Sequence, residues 1–209
     1  MKKIVIISSL FFLLMVSCKK KELNFTLKGT VTDHTFGGGL NGAVLNLEEI
    51  SSNGKNLGVV AEATISSDGN YELTFKRNSS LKYILTVTKP NYFNIFEEIP
   101  FGDFSTEEDL VKNYSSKAKA WVKLTFNNNA PILESDFLHY TKQEGKQDCE
   151  ECCPKTEQEV TGITGKTIYC LNDGNTTYSY SYLSNSTPTP AFKTIVTPAF
   201  DTVEIITNY

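Results

Sequence analysis

Apolar and polar residues alternate at period two in one run after another of this chain. Phe25, Leu27 and Val31 alternate with Thr26, Lys28 and Thr30, and Ala61, Ala63 and Ile65 with Glu62, Thr64 and Ser66. The same beat returns in Tyr71-Glu72-Leu73-Thr74-Phe75, in Tyr83, Leu85 and Val87, and in Ala120-Trp121-Val122-Lys123-Leu124-Thr125-Phe126. Successive strand side chains point to opposite faces, so each run describes a strand with one face on a core and the other in water. Helical periodicity is almost absent, and Gly, Asn, Asp, Ser and Pro break the runs at short intervals, which predicts an all-β fold. Asp-Gly between alternating runs is a strong hairpin signal. Hairpins are therefore expected at Ser67-Asp68-Gly69-Asn70 and at Asn172-Asp173-Gly174-Asn175. The run Phe36-Gly37-Gly38-Gly39-Leu40-Asn41-Gly42 reads as a turn into a strand at 43–47; no Lys-Ser/Thr follows it, as a phosphate loop would need.

The text changes after Pro100. Residues 102–110 are acidic and fit a short helical turn capped by Ser105 or Thr106. Strands resume beyond it, at 120–126, 167–171, 176–180, 192–197 and 203–209. Two β-sandwiches in tandem are expected, over residues 24–100 and 117–209, with 101–116 as the linker.

The first residues carry an address. Lys2 and Lys3 precede an apolar stretch, Ile4 to Leu14, too short for the roughly 20 apolar residues of a bilayer span, and the chain turns polar at Ser17-Cys18-Lys19-Lys20-Lys21. That is the pattern of an export signal over residues 1–17. Leu14-Met15-Val16-Ser17-Cys18 resembles the lipobox of bacterial lipoproteins. The resemblance implies cleavage before Cys18, diacylglycerol on its thiol and an acyl chain such as palmitate on its new amino group. Residues 18–23 would be a charged tether, and the protein would sit lipid-anchored in the outer membrane, on the periplasmic face or at the cell surface. Cleavage would remove two lysines and no acid, taking the formal net charge from −4 to −6. Nucleic acid, which asks for a basic patch, is not a partner this composition suggests.

Lys28-Gly29-Thr30-Val31-Thr32-Asp33, Leu40-Asn41-Gly42-Ala43-Val44-Leu45, Thr64-Ile65-Ser66-Ser67-Asp68-Gly69-Asn70-Tyr71-Glu72-Leu73 and Tyr83-Ile84-Leu85-Thr86-Val87-Thr88, followed by Asn91-Tyr92-Phe93, resemble the carboxypeptidase regulatory-like domain. This is a small transthyretin-like β-sandwich, and the resemblance covers about residues 24–96. It implies a non-catalytic spacer or accessory module.

With Cys18 assigned to lipid, Cys149, Cys152, Cys153 and Cys170 remain. An even number in an oxidising compartment favours disulfides. A zinc site, to which His139 could add a ligand, and redox chemistry are the alternatives. Pairing Cys170 with Cys152 or Cys153 would tie the polar stretch Lys142–Glu159 to a strand. Tyr178, Tyr180 and Tyr182 share one strand face. Exposed, the stripe could stack on sugar rings as a binding surface; buried, it is core. His34 and His139 sit in no hydrolase motif, and neither a catalytic residue nor a cofactor is implied. The expectation is a non-catalytic envelope module with a protein or glycan partner. A small hydrolase with His139 or perturbed acids at the floor of a pocket, and a surface-assembly subunit that adds a strand at Val203–Tyr209, are the alternatives.

Overall fold

The structure, a computed structural model, describes residues 23–129, 132–147, 149–161 and 165–209. The export signal, Cys18 and nearly all of the tether lie outside the described residues.

The chain is all-β. Eight strands build the first sandwich: β1 (Asn24–Asp33), β2 (Val44–Ser51), β3 (Asn56–Thr64), β4 (Asn70–Lys76), β5 (Ser80–Thr88), β6 (Ile95–Pro100), β7 (Leu110–Val111) and β8 (Tyr114–Ser116). One sheet runs β4-β1-β7, with β8 also on β1; the facing sheet runs β3-β2-β5-β6. The apolar beat of each strand points between them. Phe25, Leu27, Leu45, Leu47, Leu73, Phe75, Tyr83 and Leu85 are all buried in one core. Its centre is aromatic: Phe104 meets Phe75 at 5.4 Å and Tyr83 at 5.0 Å, both edge to face. Each such pair contributes about 1 kcal/mol beyond its area.

Among the described residues, seven strands build the second sandwich: β9 (Lys119–Asn127), β10 (Phe137–Glu144), β11 (Gln158–Thr161), β12 (Lys166–Asp173), β13 (Thr176–Ser184), β14 (Ala191–Thr197) and β15 (Thr202–Asn208). The sheets run β12-β9-β15 and β11-β10-β13-β14. Val122, Leu124 and Phe126 of the first meet Leu138, Tyr140, Tyr178 and Tyr180 of the second.

Neither Asp-Gly turn closes a hairpin. β3 pairs with β2 and β4 with β1, so residues 65–69 carry the chain from one sheet to the other. Likewise β12 pairs with β9, and β13 with β10 and β14. Both turns are arches. The local chemistry is that of a tight reversal: Asp68 accepts from the Ser66 hydroxyl at 2.5 Å and from the Asn70 amide at 3.2 Å, while Gly69 sits at φ +83°. Alternation is equally satisfied when two strands lie side by side or face each other across a core. The partners β1 and β2 decide which, and they lie elsewhere in the sequence. The glycine-rich turn packs on the first arch, where a Cβ on Gly39 would stand 2.1 Å from the Gly69 nitrogen.

The expected linker is also corrected. Within 101–116, β7 and β8 pair in parallel with β1, and Phe101, Phe104, Leu110 and Tyr114 pack on the first core. The helical turn lies at Phe101–Asp103, ahead of the expected place, and Ser105 accepts from the Glu107 amide in a bend. Charged residues between the apolar anchors hid their burial from composition.

Candidate functional site

The polar stretch after Lys142 is where the chain departs most from plain sandwich logic. Leu138 and Tyr140 are buried on β10, and the next inward position holds Lys142, 3% exposed. That lysine breaks the apolar beat, which is why the strand was not legible. A buried ammonium is costly unless its protons find acceptors. Here Lys142 Nζ donates to the carbonyls of Lys146 at 2.7 Å and Cys152 at 2.6 Å, and to that of Cys153. The side chain thus gathers the loop that follows its own strand.

Two disulfides close the same loop. Cys149 bonds to Cys152, and Cys153 to Cys170 on β12. The second bond spans 17 residues and ties the loop to the sheet opposite the one that holds Lys142. A loop of that size is stabilised by about 3 kcal/mol through its unfolded state, a three-residue one by nearer 2. Cys170 is fully buried and receives the Tyr178 hydroxyl at 3.3 Å. A shallow depression of about 310 Å³ lies at the loop, lined by Lys142, Gln147, Cys149, Glu150, Cys153, Pro154 and Lys155. With all four sulfurs paired, none is a thiolate ligand, and among the described residues no group of three His, Cys, Asp or Glu is placed to hold a metal ion.

The tyrosine stripe is core, which corrects its reading as a binding surface. Tyr178 and Tyr180 are fully buried and Tyr182 half-buried. Tyr180 lies 6.1 Å from Phe126 and 5.8 Å from Tyr140, and its hydroxyl shares a 2.5 Å hydrogen bond with Thr207. A ring enclosed on both faces has none to offer a sugar. Burial pushes the Tyr180 phenol up to about 12, and holds Tyr178 higher still. Aromatic rings exposed on this sandwich lie elsewhere, at Tyr169 of β12, 60% accessible, and Phe192 of β14, 67%. Cys170 and Leu171 beside Tyr169 mask the alternation in β12.

The two sandwiches meet through bonds rather than through a free segment. From the first, the Phe93 amide donates to the Lys117 carbonyl at 3.0 Å, and Thr35 Oγ1 accepts from the Ala118 amide at 2.9 Å. From the second, the Gly174 and Phe200 amides donate to the Ala118 and Lys119 carbonyls at 2.8 and 2.7 Å. Lys117 pairs with Asp173 at 2.7 Å, and Lys146 of the disulfide loop stands 4.1 Å over the Phe93 ring. Phe200, at φ +69°, lies against Phe36 at 5.6 Å and Tyr92 at 5.4 Å. A second shallow depression, about 340 Å³, opens at this joint and includes His34, Phe93, Ser116, Lys117 and Lys146. His139 lines neither depression. It stands half-buried on β10 between Glu157 at 3.0 Å and Glu159 at 3.5 Å.

The fold and site define an all-β protein of two bonded sandwiches with a disulfide-closed loop beside their joint. No family model and no curated protein sequence matches the chain. Among solved structures it is similar to a minor pilin of Streptococcus agalactiae, at 12% identity and a TM-score of 0.35 over 88% of this chain and 94% of that one. It is also similar to a streptococcal ancillary pilin, at 12% and 0.37 over 89% and 62%. The tip fimbrial protein Mfa3 of Porphyromonas gingivalis, C-terminally truncated, matches at 12% and 0.33 over 82% and 81%. Among the described residues no helix is long and apolar enough to cross a membrane.

Proposed function

We propose that this chain is a non-catalytic, lipid-anchored protein of the outer envelope, a stiff two-module arm that presents its second sandwich to a protein or glycan partner. The observation that carries the reading is the bonded joint at 117–119. Modules linked by small polar contacts are expected to move against each other, whereas here three consecutive residues are held from both sides. Such a joint suits a spacer that must keep its far end at a distance. The first module, in this reading, runs from residue 24 to 116 and is of the carboxypeptidase regulatory-like kind. The arch at Asp68-Gly69-Asn70-Tyr71, the most specific part of that resemblance, supports it. Cys18 carries the acyl chains, and the lysines after it form the tether.

The test is metabolic labelling of the full chain in a Gram-negative host with an alkyne analogue of palmitate, followed by protease shaving of intact cells. The intact protein is expected to take the label and to fractionate with membranes, and Cys18→Ala to lose both. Label that persists in Cys18→Ala would overturn the anchor. Shaving separates surface display from a periplasmic orientation.

One observation favours a second reading, an accessory subunit of a surface assembly. β15 pairs in parallel with β9 on one side and is the edge of its sheet. An extended segment of a partner could add there through main-chain hydrogen bonds. Deleting 203–209 would then abolish co-purification with the assembly.

A further inference from the structure

The two disulfides share one loop and differ in what breaking each would leave behind. In thiol–disulfide exchange a thiolate attacks one sulfur along the S–S axis, and the other leaves as a thiolate. Access to the first and stabilisation of the second set the rate. Cys149 is exposed and lies at the mouth of the 310 Å³ depression, while Cys152 is 1% exposed. Attack on Cys149 therefore comes from the open side and expels Cys152. The leaving residue is tied to a cation, since Lys142 Nζ donates to the backbone carbonyl of Cys152 at 2.6 Å. A neighbouring ammonium favours thiolate over thiol. The other bond reaches the same depression through Cys153, but that residue is half-buried where Cys149 is exposed. Attack on Cys153 would expel Cys170 into a core of Val122, Leu124 and Phe126, where the Tyr178 hydroxyl, a neutral donor, faces it at 3.3 Å. Apolar burial disfavours that thiolate.

We infer that Cys149–Cys152 is a thiol–disulfide exchange site for a small, carboxylate-bearing thiol, and that Cys153–Cys170 is the permanent staple. The size of the depression admits a small molecule, and Lys142 and Lys155 on its wall outnumber Glu150. In the exchange, the incoming thiolate forms a bond to Cys149 Sγ as the Cys149–Cys152 bond breaks, and the electron pair passes to Cys152 Sγ. A second molecule of thiol then attacks the mixed disulfide at the incoming sulfur and releases Cys149. The chain gains two electrons and two protons, and two small thiols become one disulfide. Neither strand pairing nor the Cys153–Cys170 tie is broken, so the reaction is reversible in the folded protein.

The test exposes the full chain, folded and oxidised, to graded glutathione, then alkylates and maps the peptides by mass. Cys149 and Cys152 are expected to open at a concentration at least about tenfold below that which opens Cys153 and Cys170, a factor that reflects the leaving-group difference. Cysteamine, a thiol with a positive charge in place of carboxylates, should need more than glutathione. Both pairs opening together, the reverse order, or cysteamine acting at the lower concentration would overturn the assignment. A second arm uses Cys152→Ser with glutathione disulfide, while Trp121 emission reports that the second sandwich stays folded. A glutathione adduct on Cys149 is expected, and an unmodified Cys149 in the folded variant overturns the proposal.

Discussion

The first sandwich is filled mainly by apolar and aromatic side chains, with Phe75, Tyr83 and Phe104 in mutual contact, and buries three polar ones, Asp33, Glu49 and Ser116, at its margins. The second buries Lys142, Asn172, Ser179, Ser184, Thr197 and Thr207 as well. Each of those polar groups needs a partner, and Asn172 shows how one is supplied: its side-chain amide donates to Thr176 at 3.2 Å and Thr197 at 3.0 Å, and its oxygen accepts from the Lys146 amide at 2.7 Å. A core of this kind specifies its geometry tightly but gains less from burial. The disulfides stand in the sandwich that has the more polar interior. The difference teaches that one module holds itself mainly by packing, with a few buried carboxylates such as Asp33 satisfied by hydrogen bonds, and the other adds a larger set of buried polar contacts and covalent ties.

The comparison can be broken most directly through the first core. Phe104→Ala is expected to cost about 3–5 kcal/mol, read as an earlier urea transition in a probe on the first sandwich. Trp121, the only tryptophan of the chain, reports the second, and its transition should move less. Coincident shifts in both would show that the joint makes the chain a single cooperative unit. Next in size, the double substitution Cys153→Ala and Cys170→Ala is expected to lower stability by about 3 kcal/mol in the Trp121 transition and to leave the first sandwich nearly unchanged. Gly39→Ala should cost about 1–3 kcal/mol in the first sandwich alone, because its Cβ would meet the backbone of the arch.

A smaller effect sharpens the contrast through pH. Tyr180 is raised from 10.0 to about 12, chiefly by burial. Above pH 10 the unfolded chain releases that proton while the folded chain keeps it, so the unfolded state gains. This contribution is complete below pH 10 and is lost as pH rises through about 12. Tyr180→Phe should cost about 1 kcal/mol at neutral pH, through the lost bond to Thr207. It should also flatten the alkaline loss of the Trp121 transition. An unchanged alkaline profile would mean that other buried phenols, Tyr178 foremost, dominate it.

Much of the core was legible at the level of faces. The positions of Phe25, Leu27, Val31, Leu73, Phe75, Leu85, Val122, Leu124 and Phe126 follow from period-two alternation, because a strand has two faces and only one can be dry. The strand β10 was hidden by one buried lysine, and the place of 101–116 by its acids. Lys142, the hub of the loop, carried no signal at all, since a lone lysine in a polar stretch is ordinarily solvated. The tyrosine stripe was correctly placed on one face, but alternation cannot say whether that face is the wet or the dry one.

The sequence by itself determined the strand class, the sites of reversal and most of the inward-facing residues, since all of these depend on neighbours two to four positions apart. Only the tertiary structure decided that both Asp-Gly turns are arches, that β15 lies parallel to β9, and which cysteines meet. Those outcomes depend on which strand, dozens of residues away, lies alongside. Two apolar faces lose the same water whether they share a sheet or oppose each other across a core, so the local pattern is blind to the choice.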